Sequence, residues 1–388
     1  MPPSSPRAPE DQGQRLSSSR QPLAPSRRPT RKALPSPAAS LHVTGLPPLR
    51  PPVTPLRRFS DASSALPFWH ATLDAWSTSD PSQARHISTV RSFMQNGIPV
   101  DPNPLPTDRQ FPNTSSVKEH ATACRERIAY FSDMGAVSRV TRSALSAVHP
   151  LHVVVRPGKK PRLVLDLSKN LNDLLTVPHL RMSASVDSAV AMSSPGCWFA
   201  KLDISDCFLS FSIAKDATRH LGFQFEGQLY RFDRMPLGLS TASSHCETLL
   251  SVVSWLLTSR GVKHVRYCDD ILIVGRSRAD CASMTDIALA TLDQFGFAVA
   301  ASKTVHATQR IEFLGVDIDS IACVVAALHD VCRNYAGYSP STSRTPLFVP
   351  FALSSHSSAN YPSLLTCFLA PAHSSATSSI YAAGGAAV

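Results

Sequence analysis

The residues Tyr267-Cys268-Asp269-Asp270 lie between two runs, 265–267 and 271–274, that are typical of strands. The pattern predicts a hairpin with both carboxylates at its tip. Two carboxylates so close together repel each other, and a divalent cation that prefers oxygen ligands, such as Mg²⁺, removes that repulsion. Adjacent aspartates are also common in solvated turns, so the pair by itself leaves both interpretations open.

A third carboxylate, Asp203, lies near the end of another strand-like run, residues 198–204. If this strand is a neighbour of the hairpin, Asp203 meets Asp269 and Asp270 at one end of the sheet. Three carboxylates around two cations are the arrangement that two-metal nucleotidyl transfer requires. In that chemistry one ion activates a primer 3′-hydroxyl, and the other holds the departing pyrophosphate.

The residues around these motifs alternate between strand-like and helix-like patterns. A basic Pro-Gly turn at 157–161 joins the first two predicted strands, and Glu226-Gly227-Gln228 joins the next two. This order predicts an α+β fold, in which helices back an antiparallel sheet. The further predicted elements are strands at 151–156, 162–166, 223–225, 229–232, 298–299 and 311–316 and helices at 240–259 and 279–295.

Five segments, taken in order, resemble the reverse transcriptase of retroelements and look closest to DIRS-type and gypsy-type retrotransposons. The resemblance covers about residues 90–320 and implies a right-hand polymerase with fingers and a palm. The palm of this family is a ferredoxin-like antiparallel sheet backed by helices. The segments are 162–166, Leu202-Asp203-Ile204-Ser205-Asp206-Cys207-Phe208, Met235-Pro236-Leu237-Gly238-Leu239-Ser240-Thr241-Ala242, Tyr267-Cys268-Asp269-Asp270 and Phe313-Leu314-Gly315.

The resemblance implies that Asp203, Asp269 and Asp270 are the catalytic and metal-binding triad, which holds two Mg²⁺ or Mn²⁺ ions. Phe208 matches the aromatic residue under the sugar, where a ring excludes a 2′-hydroxyl and favours deoxynucleotides. Without the neighbouring motif, Phe208 is an ordinary core phenylalanine.

The resemblance also implies positions for the substrates. Arg162 matches the arginine that contacts the incoming triphosphate, and Lys160 or its neighbour Lys159 is placed to assist it, although both lysines equally fit a solvated turn. Lys303 falls near the pyrophosphate. The remaining implied contacts are backbone amides of Ser205, Asp206 and Cys207 along the triphosphate, Leu237 and Gly238 under the templating base pair, and Phe313, Leu314 and Gly315 at the primer grip.

Composition divides the 388-residue chain into four regions. Residues 1–65 are predicted to be a disordered arm, because residues 1–60 hold 14 prolines and 10 Lys and Arg against two acids, with no apolar period. A helical N-terminal extension is predicted over 66–149, and fingers and palm over 150–320. Residues 321–388 are predicted to be the truncated start of a thumb and a low-complexity tail.

Other protein classes are disfavoured by composition. The formal net charge of +10 comes mainly from the arm, which argues against a uniformly basic DNA-wrapping protein. The sequence has no apolar run of the roughly 20 residues that a membrane span needs. Its nine cysteines form no C-x-x-C pair, which favours free thiols in a reducing, intracellular compartment, nuclear or cytoplasmic.

Three functions remain open at this stage. The first is an RNA-directed DNA polymerase that extends a primer on an RNA or DNA template with dNTPs. The second is a catalytically inactive remnant that binds nucleic acid at most. The third is a DNA- or RNA-templated polymerase of another kind that shares the palm. Ser243-Ser244-His245 departs from the Pro-x-x-Phe of the family. The resemblance also stops soon after Asp319, and the acid-poor residues that follow offer no RNase H carboxylates.

Overall fold

The computed structural model describes residues 43, 45–52, 57–158, 161–178 and 185–327. The first described helices are α1 Leu66–Ser79, α2 Ala84–Asn96, α3 Ser115–Glu119 and α4 Ala121–Asp133. Helix α1 has a proline in its first turn, where the missing N–H costs no hydrogen bond. Its buried residues Trp69, Leu73 and Trp76 recur at helical spacing and face the core.

Strands follow α4 earlier than the sequence predicts. Strands β1 Val137–Arg139 and β2 Val148–His149 lie inside the region predicted to be a helical extension, so its helices end at Asp133. The first predicted hairpin is present as β3 Leu151–Val154 and β4 Arg162–Leu165, which pair antiparallel. Short strands such as β1 and β2 carry too little alternation to be recognised in a sequence.

Strands β1 and β2 belong to a four-stranded sheet that also contains two strands from later in the chain. After α5 Val186–Met192 and β5 Trp198–Asp203, the chain forms β6 Gly222–Phe225 and β7 Gln228–Phe232. Strands β6 and β7 make the predicted hairpin, and they lie in a four-stranded sheet of order β1-β7-β6-β2. The sequence predicted the hairpin because Glu226 and Gly227 make a local turn, both with positive φ.

The central sheet is the predicted palm. It is completed by the elements α6 Ala242–Ser259, β8 His264–Tyr267, β9 Asp270–Gly275, α7 Arg278–Gln294 and β10 Val305–Thr308. The strand order is β10-β5-β9-β8, with every pair antiparallel. Because β5-α6-β8-β9-α7-β10 is a βαββαβ sequence, this is the ferredoxin-like arrangement, and the predicted α+β fold is confirmed.

The last described strands form a separate three-stranded sheet, β11 Arg310–Phe313, β12 Val316–Asp319 and β13 Val324–Ala327. The single strand predicted at 311–316 is wrong, because Leu314 and Gly315 have φ of 50° and 77° and turn the chain between β11 and β12. Strand β13 also continues the fold beyond residue 320. The predicted tail from 328 onward lies outside the described residues.

Both faces of the palm sheet are buried. Along β9, Ile271 and Ile273 belong to the large core that includes α6 and α7, whereas Leu272 and Val274 belong to a smaller core with α5 and β11. This alternation follows the two-residue period of a strand. Within the described part of the chain, no helix has the length and apolar character to cross a membrane.

The predicted arm of residues 1–65 includes residues that are folded. Residues 57–65 are described, and Ala62–Ala65 forms a 3-10 helix. The amide of Asp61 donates to the carbonyl of Gly296 (2.8 Å), and the Ser60 hydroxyl donates to the carbonyl of Ser205 (2.7 Å). Residues 57–65 are held against the rest of the fold mainly by backbone groups and single side chains. Such contacts need no regular spacing of apolar residues, which is why the sequence of this segment shows none. The arm before residue 43 lies outside the described residues.

Gly296 provides a test of this packing. Its φ is +87°, and an added Cβ would overlap the carbonyl oxygen of Asp61. We expect Gly296→Ala to lower the free energy of unfolding by about 3 kcal/mol, since steric overlap adds to left-handed strain. Gly227→Ala is the matched control, because Gly227 has φ +76° with open space around it. Its loss should be about 1 kcal/mol. Equal losses in urea denaturation would contradict the packing of Asp61 against Gly296.

Candidate active site

The three aspartates of the predicted triad lie at one end of the palm sheet. Asp203 is the last residue of β5 and is paired in register with Asp270, the first residue of β9. Asp269 precedes β9 in the turn, where Cys268 takes a left-handed conformation with φ of 49°. The amide of Ile204 donates to the Asp269 carbonyl (3.0 Å), which ties the turn to the end of β5.

The electrostatics of this site follow from burial and from like charges. Asp203 is 6% exposed. Burial and the neighbouring carboxylates of Asp203 and Asp270 raise the pKa of Asp269 to about 6, and the positive charge of Lys303 opposes that shift. A cation bound nearby would stabilise the ionised form of such a carboxyl group.

Lys303 supplies such a charge directly. Its Nζ lies 2.8 Å from both carboxylate oxygens of Asp203. The sequence placed Lys303 near a pyrophosphate, and the structure places its ammonium on the triad itself. Among the described residues, no group of three Asp, Glu, His or Cys side chains is already arranged to hold a metal ion. The three carboxylates thus lie at one end of the sheet without forming a ready-made metal site, and Lys303 is the counter-charge of Asp203.

A buried ion pair below the turn was missed by sequence reasoning. Arg266, 2% exposed, lies 2.8 and 2.9 Å from the two carboxylate oxygens of Glu247 on α6. Its guanidinium also donates to the carbonyl of Cys268 (3.2 Å) and to Ser254 Oγ (2.8 Å). The available signal was that Glu247 is the one charged residue in the sequence of α6.

The loop after β5 differs in part from what the resemblance implied. The amide of Ser205 donates to the carbonyl of Ala298 (2.9 Å), so it is not available to a triphosphate. The carboxylate of Asp206 accepts from Arg127 (2.5 Å) and from the Tyr130 hydroxyl (2.7 Å), both on α4. Burial, followed by this hydrogen bond and the charge of Asp206, raises the pKa of Tyr130 to about 12.

Cys207 and Phe208 follow in the same loop. Cys207 is buried, with its Sγ 3.5 Å from Cys246 Sγ, and the hydrogen bond with Cys246, followed by burial, raises the pKa of its thiol. Phe208 begins a short 3-10 helix, Phe208–Ser210, and is half-buried against the large core. One side of Phe208 is thus a core contact while the other remains accessible, so the two interpretations of this residue are compatible.

The segment of Leu237 and Gly238 joins the palm to β4. The Leu165 amide donates to the Leu237 carbonyl (3.0 Å), and Gly238 has φ +108°, where a Cβ would overlap the Leu165 carbonyl oxygen. The close approach that the sequence assigned to a base pair is thus made to β4. Arg162 is exposed at the start of β4. Lys160 and Lys159 lie outside the described residues.

The predicted primer grip lies at the turn between β11 and β12. Phe313 is 1% exposed and belongs to the smaller core, whereas Leu314 and Gly315 form the turn. The Lys201 ammonium, from β5, donates to the neighbouring carbonyl of Glu312 (3.3 Å). This segment is therefore anchored to the strand that carries Asp203.

The site can be compared with known proteins. Residues 136–318 match the family model described as "Reverse transcriptase (RNA-dependent DNA polymerase)". The chain is 26% identical over 220 residues to the Gag-Pol polyprotein of avian reticuloendotheliosis virus, covering 54% of this chain and 18% of that protein. It is 29% identical over 154 residues to the Pol polyprotein from transposon gypsy of Drosophila melanogaster, covering 40% of this chain and 14% of that one.

Solved structures show the same fold. Foamy viral protease-reverse transcriptase in complex with an RNA/DNA hybrid matches with a TM-score of 0.50 and 19% identity, covering 62% of this chain and 31% of that one. Its complex with double-stranded DNA matches with a TM-score of 0.50 and 18% identity, over 60% and 46% of the two chains. The gypsy relative agrees with the predicted retroelement class, while the DIRS-type subdivision stays a prediction.

The ion pair of Arg266 and Glu247 generates a prediction. Glu247→Ala removes the carboxylate from a buried guanidinium and should lower the free energy of unfolding by about 3–5 kcal/mol. The double variant Glu247→Leu with Arg266→Met should lose less, because no charge stays buried. Asp74→Ala, which breaks an exposed pair with Arg91, is the control and should cost under about 1 kcal/mol. The free energy of unfolding is measured by urea denaturation. If Glu247→Ala loses no more of it than Asp74→Ala does, the ion pair of Arg266 and Glu247 is not buried as described.

Proposed function

We propose that the chain catalyses RNA-directed DNA synthesis, adding dNTPs to a primer 3′-hydroxyl, because residues 136–318 match the reverse transcriptase family model. The observation that carries the proposal is the pairing of Asp203 with Asp270 across β5 and β9, with Asp269 in the adjoining turn. It brings together carboxylates from positions far apart in the sequence at one end of a sheet.

We assign the divalent cations of the reaction to this triad. Its donors are carboxylate oxygens, which are the ligands that Mg²⁺ and Mn²⁺ prefer. The pKa of Asp269 is raised by burial and then by the neighbouring carboxylates, and a bound cation would offset both effects. Two bound ions would activate the 3′-hydroxyl and neutralise the charge of the pyrophosphate. Lys303 holds a positive charge at Asp203 when no cation is bound, which keeps the buried carboxylate paired.

The remaining residues are assigned to the nucleotide and to the nucleic acid. Arg162 and Lys160 bind the triphosphate. The backbone amides of Asp206 and Cys207 line its path, whereas the amide of Ser205 is already bonded to Ala298. Phe208 excludes a 2′-hydroxyl with its accessible side. Residues 237–238 and 313–315 are proposed to contact the template-primer, which is RNA or DNA. The foamy viral neighbours, which are complexes with double-stranded DNA and with an RNA/DNA hybrid, support this class of partner.

The alternative is a remnant that binds nucleic acid without catalysis. The contact of Lys303 with both oxygens of Asp203 favours it, because an ammonium there competes with a metal ion for the same lone pairs. The two functions differ in one measurable property, the incorporation of nucleotides.

Primer extension on an RNA template with Mg²⁺ separates these functions. We expect incorporation by the wild type and a loss of about a hundredfold or more in Asp269→Asn, because a charge that stabilises the transition state is removed. Asp286→Asn, an exposed aspartate on α7, is the matched control and should retain activity. Equal incorporation by the wild type and Asp269→Asn would exclude catalysis at this site.

The role of Phe208 is tested by sugar selectivity. Phe208→Ala should lower the preference for dNTP over NTP by about tenfold to a hundredfold, because the ring no longer occupies the space of the 2′-hydroxyl. Phe68→Ala removes another half-buried ring, which packs edge-on against Phe295, and serves as control for lost packing. The ratio of kcat/KM for the two nucleotides is the measurement. An unchanged ratio in Phe208→Ala would refute the gate.

A further inference from the structure

Residues 57–61, here called the strap, cross the palm beside the loop that follows β5. Two contacts fix the strap to the end of α7. The Asp61 amide donates to the Gly296 carbonyl (2.8 Å), and the Arg57 guanidinium pairs with Asp293 (3.0 Å). The close fit at Gly296 leaves no space for a side chain. The strap therefore has a defined position on the palm.

Ser60 connects the strap to the loop at residue 205. Its hydroxyl donates to the Ser205 carbonyl (2.7 Å) and accepts the Ala298 amide (2.9 Å). The Ser205 amide in turn donates to the Ala298 carbonyl (2.9 Å). Ser60 is 1% exposed. A buried hydroxyl thus joins three segments of the chain within two residues of Asp203, and no water competes for these hydrogen bonds.

Arg234 connects the strap to the other end of the loop. It is 9% exposed and pairs with the carboxylate of Asp61 (3.1 Å). A second nitrogen of the same guanidinium donates to the carbonyls of Ser60 (3.1 Å) and Leu209 (3.3 Å). The planar guanidinium fixes several acceptors at once, so the position of Leu209 depends on that of the strap.

A third contact reaches the middle of the loop. The Phe59 ring packs edge-on against the Tyr130 ring, with centroids 5.2 Å apart, and the Tyr130 hydroxyl donates to Asp206 (2.7 Å). Asp206 has φ of 47°, a left-handed conformation that is uncommon for residues other than glycine. The strap and its partners contact the loop at Ser205, Asp206 and Leu209.

We propose that the strap is a positioning element of the nucleotide site, which sets the backbone of residues 205–209 and hence the ring of Phe208 relative to Asp203. This inference rests on the proposed polymerase function for its substrate, a deoxynucleoside triphosphate. Ser60 and Asp61 act through the loop and touch no substrate themselves. They are positioning residues for nucleotide recognition, supplied by a segment outside the region 136–318 that matches the family.

Hydrogen exchange tests the strap independently of catalysis. In the full chain, Ser60→Ala and Asp61→Asn should each increase amide exchange in residues 204–210 by about fivefold, the effect of one hydrogen bond on an opening equilibrium. Asp61→Asn keeps the side-chain oxygen that caps Ser63 and loses the charge facing Arg234. It is the milder variant if Ser60→Ala does not fold.

Ser320→Ala is the matched control. The hydroxyl of Ser320, a residue that is 0% exposed, donates to the carbonyls of Cys197 (2.6 Å) and Gln309 (3.1 Å). Like Ser60, it connects its own segment to two others through backbone groups. Ser320 lies at the opposite end of β5 from Asp203. Its loss should reduce stability to a similar extent and leave exchange in residues 204–210 unchanged.

Steady-state incorporation gives the second measurement. Ser60→Ala and Asp61→Asn should raise the KM for dNTP by about fivefold and lower the preference for dNTP over NTP, with a smaller effect on kcat. Ser320→Ala should leave the KM and the preference unchanged. If Ser60 and Asp61 only stabilised the fold, the strap variants and the control would lose active protein equally. The KM for dNTP and the preference for dNTP over NTP would then stay unchanged in all three variants.

The outcomes separate the inference from the proposed function. If the wild type incorporates no nucleotide, the polymerase proposal fails, and hydrogen exchange alone decides whether the strap holds the loop. If the wild type is active and both strap variants match Ser320→Ala in KM, preference and exchange, the positioning role is overturned. Faster exchange with unchanged KM and preference would also overturn it, because the loop would then not depend on the strap in the substrate complex.

Discussion

The pairing of β5 with β9 is the constraint on which the rest of the site depends. Its register extends from Trp198 opposite Gly275 to Asp203 opposite Asp270. A slip of one residue would move every side chain of one strand to the other face of the sheet. Because the two faces are buried in separate hydrophobic cores, such a slip would put side chains of the wrong size and shape into each core. The packing of the cores therefore fixes the positions of the carboxylates.

The site concentrates negative charge where water is scarce, and the fold offsets this from two sides. Lys303 lies against Asp203 on the open side, with more than half of its side chain exposed. Arg266 lies beneath the turn, fully buried, and binds both Glu247 and the carbonyl of Cys268. The exposed ammonium of Lys303 can move away from Asp203 and be solvated by water. The guanidinium of Arg266 is buried, and separating it from Glu247 would leave an unpaired charge in the core. The first contact is suited to exchange with a cation, and the second to holding the turn.

The elements that the sequence predicted are those with a local pattern. The three hairpins, at 151–166, 222–232 and 264–275, and helices α6 and α7 were recognised from periodicity and turn residues within short windows. The strand predicted at 311–316 was wrong because Leu314 adopts a positive φ, which is rare for a residue with a branched side chain. Residues 57–65 were assigned to a disordered arm because their contacts leave no apolar period.

From the sequence alone came the chemistry of the site: three aspartates after or between apolar runs, an aromatic residue at 208 and basic residues nearby, all of which are local properties of the chain. Only the tertiary structure decided which groups satisfy one another. Asp203 and its partner Lys303 are 100 residues apart in the sequence, and Ser60 and its partner Ala298 are 238 residues apart. Such contacts follow from how sheets and helices pack, and no pattern within a short window of residues contains that information.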